Sequence, residues 1–175
     1  MQPVFILSLM MMLQASMIFD FNKSADISKW RITDDVVMGG RSNGNFQLNA
    51  EGYGVFSGKV SLENNGGFSS VRYYFPPKET TSFSKFVIRL KGDGKQYQFR
   101  VKAKQDEYFD YILSFTTTGE WQTIELPFDK MVPSFRGQLL NRPPFSGTSM
   151  LEIGFLIGNK KAESFALELD EILIQ

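Results

Sequence analysis

The chain has 175 residues, with 19 Lys and Arg against 19 Asp and Glu, and it contains neither Cys nor His. That length fits one domain, able to bury about 70% of the surface its unfolded chain exposes. The balanced charge argues against a nucleic-acid binder, and the missing Cys and His exclude disulfides, thiolate zinc sites, Cys nucleophiles, His bases and a Ser-His-Asp triad.

The first feature along the chain is an apolar run over 4–13, too short to span a bilayer. Its length suits a signal-peptide core with Gln14-Ala15-Ser16 as a cleavage site, yet no Lys or Arg precedes it, and a disordered leader or a first strand fits as well. Residues 1–16 are therefore set apart from a single domain over 17–175. The location stays open: cytoplasmic, or periplasmic or secreted if the run is cleaved. From Ser16 onward no stretch reaches membrane length.

Beyond this run the apolar residues alternate with polar ones. Phe86, Ile88 and Leu90 form one such set, Tyr97, Phe99 and Val101 another, and Phe109, Tyr111, Leu113 and Phe115 a third. Leu151 to Ile157 and Phe165 to Leu169 repeat the pattern. Period two is the mark of half-buried antiparallel strands. Strands are expected at 17–21, 30–33, 44–49, 54–60, 67–75, 84–91, 96–103, 108–116, 121–127, 150–157 and 164–174, separated by turn signals such as Asn43-Gly44, Asn65-Gly66-Gly67 and Gly92-Asp93-Gly94. Short helical turns are expected near 24–28 and 129–132, and 129–149 reads as a long irregular segment facing a partner or crossing between sheets. The fold class is all-β, an antiparallel sandwich or jelly roll.

Two phrases stand out, each with a Gly-Gly pair: Asp34-Asp35-Val36-Val37-Met38-Gly39-Gly40 and Asn64-Asn65-Gly66-Gly67-Phe68. Adjacent carboxylates on an extended chain point apart, so Asp34 and Asp35 suit a turn or cap role, with a side-chain oxygen taking backbone N–H groups, better than paired acid-base chemistry. Met38-Gly39-Gly40 lacks the Lys and the following helix of a phosphate loop and reads as a buried Met before a tight bend. Asn64 and Asn65 suit the positive φ of a hairpin turn, or hydrogen bonding to a sugar or peptide at a rim. Trp30, Asp35, Met38, Gly39, Gly40, Gly66 and Gly67 are read as shaping these loops.

Arg72, Arg89 and Arg100, with Tyr74, Gln98, Asp110, Ser114, Thr123 and Glu125, are expected to point away from the Phe-rich core. On neighbouring strands they would line a binding groove; an ordinary solvated face with cross-strand ion pairs is the other reading. Asp20, Asp170 and Glu171 could serve a structural calcium where the terminal strands meet, with plain surface charge the weightier account. No other cofactor is expected.

The stretches Trp30–Gly40, Phe56–Ser61, Asn64–Arg72, Trp121–Phe128, Phe135–Gly137, Ile153–Ile157 and Phe165–Ile172 resemble the NADH:ubiquinone oxidoreductase complex I intermediate-associated family, over about 18–174. The resemblance implies a galactose-binding-like jelly-roll β-sandwich and a non-catalytic, chaperone-like partner of respiratory subassemblies. Val36 stands where the family commonly has Gly, and nothing here looks like an Arg-rich mitochondrial transit peptide. The leading expectation is therefore a protein-binding domain with no nucleic-acid partner. The alternative is a carbohydrate-binding module, periplasmic or secreted, which should display aromatic rings for sugar stacking; only Tyr74 and Tyr108 are in view.

Overall fold

A computed structural model describes residues 14–175, so the expected leader falls almost wholly outside the described residues. The described chain forms β1 (Ser16–Asp20), β2 (Trp30–Asp34), β3 (Asn43–Leu48), β4 (Gly54–Val60), β5 (Ser69–Glu79), β6 (Lys85–Lys91), β7 (Gln96–Lys102), β8 (Asp110–Thr116), β9 (Trp121–Pro127), β10 (Val132–Phe135), β11 (Gln138–Leu139), β12 (Ser149–Ile157) and β13 (Glu163–Ile174). One sheet has the order β3-β4-β13-β6-β9, with β1 also on β13; the other runs β11-β10-β8-β7-β12-β5-β2. The strand pairs are antiparallel. The architecture is the expected jelly-roll sandwich, with all eleven expected strands present.

The alternation sets which side chains meet between the sheets. Phe56, Phe86, Ile88, Leu90, Leu167 and Leu169 come from the first sheet, and Val71, Tyr97, Phe99, Val101, Ile153, Phe155 and Ile157 from the second; all are buried. In β13 the buried set changes from Leu167 and Leu169 to Ile172 and Ile174. The ladder with β6 slips between Leu169 and Glu171, a bulge that lets one long strand keep an apolar side inward along its whole length. At one end of the sandwich, Trp30 stacks on Tyr73 with centroids 5.0 Å apart and meets Phe19, Phe21 and Phe46, closing the core with rings.

Among the described residues three short 3-10 turns link strands, at Asp35–Met38, Glu63–Asn65 and Phe128–Lys130. The last lies close to the expected turn at 129–132. No helical turn forms near 24–28; there Asn22 and Asp26 accept the N–H groups of Ser24 and Ser28 instead. Asn64 and Asn65 do take positive φ, 55° and 58°. However, they link β4 of one sheet to β5 of the other, so the turn is a crossover and not a hairpin. The segment read as irregular contains a hairpin, β10–β11, whose turn residues Arg136 and Gly137 have φ 49° and 78°. Positive φ at both central positions is the I′ geometry that suits strand twist, usually signalled by Asn-Gly.

Candidate functional site

The two Gly-Gly phrases meet at one carboxylate. Asp35 is fully buried in the turn after β2. Its Oδ1 accepts the Ser42 N–H at 2.9 Å, and its Oδ2 accepts the Ser42 hydroxyl at 2.5 Å and the N–H groups of Gly67 at 2.5 Å and Phe68 at 3.2 Å. The glycines make room for it: a Cβ on Gly40 would collide with Oδ1, and one on Gly66 would lie 2.5 Å from Oδ2. Burial opposes the charge on Asp35, but the Ser42 hydroxyl and the backbone N–H groups of Gly67, Ser42 and Phe68 outweigh it and hold the carboxyl below the usual Asp range. Asp34 faces elsewhere, accepting the Gly44 N–H at 2.8 Å and the Ser69 hydroxyl at 2.5 Å. Both acids accept backbone N–H groups, yet neither caps the 3-10 turn through its side chain; the bonds reach across to other loops and strands.

The loop tip differs from expectation. Gly39 makes the tight bend, with φ 91°, but Met38 before it is 58% exposed rather than buried, and its neighbour Val37 is 75% exposed. A run of apolar residues reads as core in sequence; here the Asp35 anchor turns the run outward. Val36 lies within the 3-10 turn and does not need the positive φ that Gly would allow.

The outer face of the second sheet holds Arg72, Tyr74, Gln98 and Arg100. Register places Gly154 of β12 between Arg72 and Arg100, and Glu152 between Tyr74 and Lys102. With no side chain at Gly154, the two guanidiniums can close over the strand; a Cβ there would lie 2.7 Å from the Val71 carbonyl oxygen and 3.2 Å from Arg72 Cγ. Arg72 bridges Glu152 and Asp110, the latter at 3.1 Å, and Arg100 Nε donates to Asp110 at 3.1 Å. The Asp110 and Glu152 side chains are only 9% and 6% exposed, so two cations and two anions form a nearly buried, neutral cluster. Burial opposes the charge on Arg72, but Asp110 and Glu152 overcome it and raise its pKa; for Arg100, burial, with the like charge of Arg72 added, prevails over Asp110 and lowers it. Tyr74 is raised by burial and by the adjacent Glu152 carboxylate. Gln98 stands one row on, at the wall of an open hollow of about 630 Å³ lined also by Lys95, Gln96, Thr116, Leu156 and Asn159.

Arg89 is not part of this face. It lies on β6 in the other sheet, as Thr123 and Glu125 do on β9. Alternation tells inside from outside within a strand but not which sheet a strand joins. Arg89 pairs with Asp170 and lies over the Trp121 ring, 4.7 Å from its centroid, and Tyr53 packs against the same indole. Two of the three side chains considered for calcium are engaged otherwise: Asp170 with Arg89, and Asp20 with the Asn22 amide at 3.1 Å. Among the described residues no three carboxylates gather as a ligand set. Among them, too, no helix is long and apolar enough to cross a membrane.

The profile of the family described as Complex I intermediate-associated protein 30 (CIA30) matches residues 19–169. The chain belongs to this family. It is 26% identical over 186 residues to "Complex I intermediate-associated protein 30, mitochondrial" of Drosophila melanogaster, covering 91% of this chain and 62% of that protein. The protein of the same name from Mus musculus is 25% identical over 183 residues, covering 91% and 56%. The chain thus spans roughly three fifths of the length of these curated relatives. In fold it is similar to the family 11 carbohydrate-binding module of the cellulosomal cellulase Lic26A-Cel5E of Clostridium thermocellum, at TM-score 0.64 and 18% identity over 92% of this chain and 94% of that one. That family 11 module in complex with a β-1,3-1,4-mixed-linked tetrasaccharide superposes at TM-score 0.63 and 18% identity, over 91% and 94%.

The CIA30 fold in this chain also brings together residues that stand apart in the sequence. Around the β10–β11 hairpin, Tyr108 packs edge-on against Phe135 at 5.1 Å, and both are exposed. Arg136 lies over Phe135 at 5.2 Å, and Arg142 over Tyr108 at 5.8 Å and Phe109 at 5.3 Å. Val132 and Leu139, the latter 67% exposed, lie on the other face of the hairpin, because Leu139 pairs with Ser134 and Phe135 with Gln138. The length of the segment over 129–149 was the available signal; the contact with Tyr108, from a distant loop, was not readable.

Proposed function

We propose that this chain is a non-catalytic protein-binding domain that holds a polypeptide partner during assembly of the NADH dehydrogenase complex. Membership of the CIA30 family supports the process, and the observation that carries the binding mode is the state of the outer faces. Arg72 is tied to Asp110 and Glu152 and Arg100 to Asp110 and Gln98, so a sugar would have to disturb a nearly buried ion cluster to reach them. Trp121, the ring best suited to stacking on a pyranose, already carries Arg89 and Tyr53. Tyr74 remains exposed on the second sheet, alone among the rings of that cluster.

The domain then works as a rigid scaffold: Asp35 fixes one edge of the sandwich and the ion cluster fixes the other sheet, leaving exposed loops to meet the partner. The carbohydrate reading rests on the likeness to the family 11 module, which at 18% identity concerns the fold. Both are tested together by capture from the source organism beside a glycan array. Copurified respiratory subunits without glycan signal support the proposal. Saturable glycan binding that is lost in Arg72→Ala, with no respiratory subunit captured, overturns it.

A further inference from the structure

We infer that the β10–β11 hairpin and the adjoining Tyr108 loop form the docking surface for an acidic, apolar segment of a protein partner, an inference that rests on the protein-binding reading above. The surface is composed of Tyr108 and Phe135, with Arg136 and Arg142 over the rings, while register turns Val132 and Leu139 to the hairpin's other face. Tyr, Phe and Arg are residue types that dominate binding energy at protein interfaces, because large rigid rings bury much area at little entropic cost.

Charge complementarity selects the occupant. Among the described residues neither Arg136 nor Arg142 makes an ion pair, whereas Arg72, Arg89 and Arg100 each do. A guanidinium stacked flat on a ring keeps its forked N–H edge free for a carboxylate. The I′ turn, with Arg136 at φ 49°, sets this side chain at the tip of the hairpin.

Two arginines are too few for an anionic membrane, which polybasic clusters of roughly 4–8 Lys and Arg recognise. The flanking stretches 104–107 and 129–130 hold Lys104 and Lys130 against Asp106, Glu107 and Asp129, and add no basic field. The edge of β11, at Gln138 and Leu139, borders the same surface and has unpaired backbone groups for an extended segment.

The test uses the full chain and a panel of synthetic 15-residue peptides in which Leu and Phe are interspersed with Glu, with Lys or with Ser. The Glu series should bind best and weaken as salt rises from about 50 to 300 mM. Arg136→Gln with Arg142→Gln should weaken binding roughly tenfold or more and flatten that salt dependence, and Tyr108→Ser should weaken it without flattening it. Amide shifts in NMR should cluster at Tyr108, Phe135 and Arg142. Equal binding of all three series, shifts elsewhere, or stronger association with vesicles of anionic lipid than with any peptide overturns the inference. Respiratory subunits still captured by the double Arg variant would remove this surface while leaving the protein-binding reading in place. Peptide binding through it, with no respiratory subunit captured by the native chain, would do the reverse.

Discussion

Replacing Asp35 should cost this domain a large part of its stability. Its buried carboxylate accepts four hydrogen bonds, three from backbone N–H groups of Ser42, Gly67 and Phe68 and one from the Ser42 hydroxyl. Hydrogen bonds to a charged group contribute about 1.5–3 kcal/mol each, and donors left buried without a partner cost about 1–3 kcal/mol. The losses overlap, because loops freed from Asp35 will relax toward water, so Asp35→Ala should cost about 3–5 kcal/mol. That is a fifth or more of the roughly 5–15 kcal/mol typical of a domain. Asp35→Asn keeps the shape but turns an NH2 toward N–H donors and should cost about 2–3 kcal/mol. Urea unfolding followed by the fluorescence of Trp30 and Trp121 reads both. The pH dependence adds a sign. The folded carboxyl titrates below its unfolded value, so its contribution is fully present above pH about 3.9 and is lost as pH falls through the lower folded value. Asp35→Asn should flatten the acid limb there. A cost under about 1 kcal/mol for both variants would refute the idea that this carboxylate joins the two phrases.

Other changes probe the rest of the frame. Trp30→Ala removes the centre of the terminal ring cluster and should cost about 3–5 kcal/mol in the same urea assay. Gly154→Ala sets a methyl against the Val71 carbonyl and Arg72 Cγ and should cost about 1–3 kcal/mol, visible as a lower midpoint at constant m. Arg72→Ala leaves Glu152 nearly buried without its partner, so it should cost about 3 kcal/mol or more, and a double-mutant cycle with Glu152→Ala should show coupling of about 0.5–3 kcal/mol. Arg136→Asn puts a residue tolerant of positive φ into the hairpin turn and should raise stability by about 0.5–1 kcal/mol, while weakening any partner held there.

Period-two alternation carried the strands because each side of a strand meets either core or solvent, and that is a local property. The choice between two sheets is not local, which is why Arg89 was grouped with Arg72 and Arg100 although β6 lies in the other layer. The β10–β11 hairpin escaped because Pro133 breaks the pattern and its turn uses Arg136-Gly137 where Asn-Gly would have announced it. The role of Asp35 as an acceptor of backbone N–H groups was legible from its type, but its partners Gly67 and Phe68, more than thirty residues on, were set by the crossover between sheets. Met38 shows the converse: hydrophobicity suggested burial, and a carboxylate three residues earlier holds it in solvent.

The central claim, that this CIA30-family chain serves assembly of a respiratory complex by binding protein, is tested most directly by deleting its gene in the source organism and resolving membranes on native gels. The account predicts accumulation of a complex I subassembly and loss of NADH:ubiquinone activity. Both should be restored by the wild-type gene but not by one carrying Arg136→Gln with Arg142→Gln. Fully assembled, active complex I at normal levels in the deletion strain would contradict it.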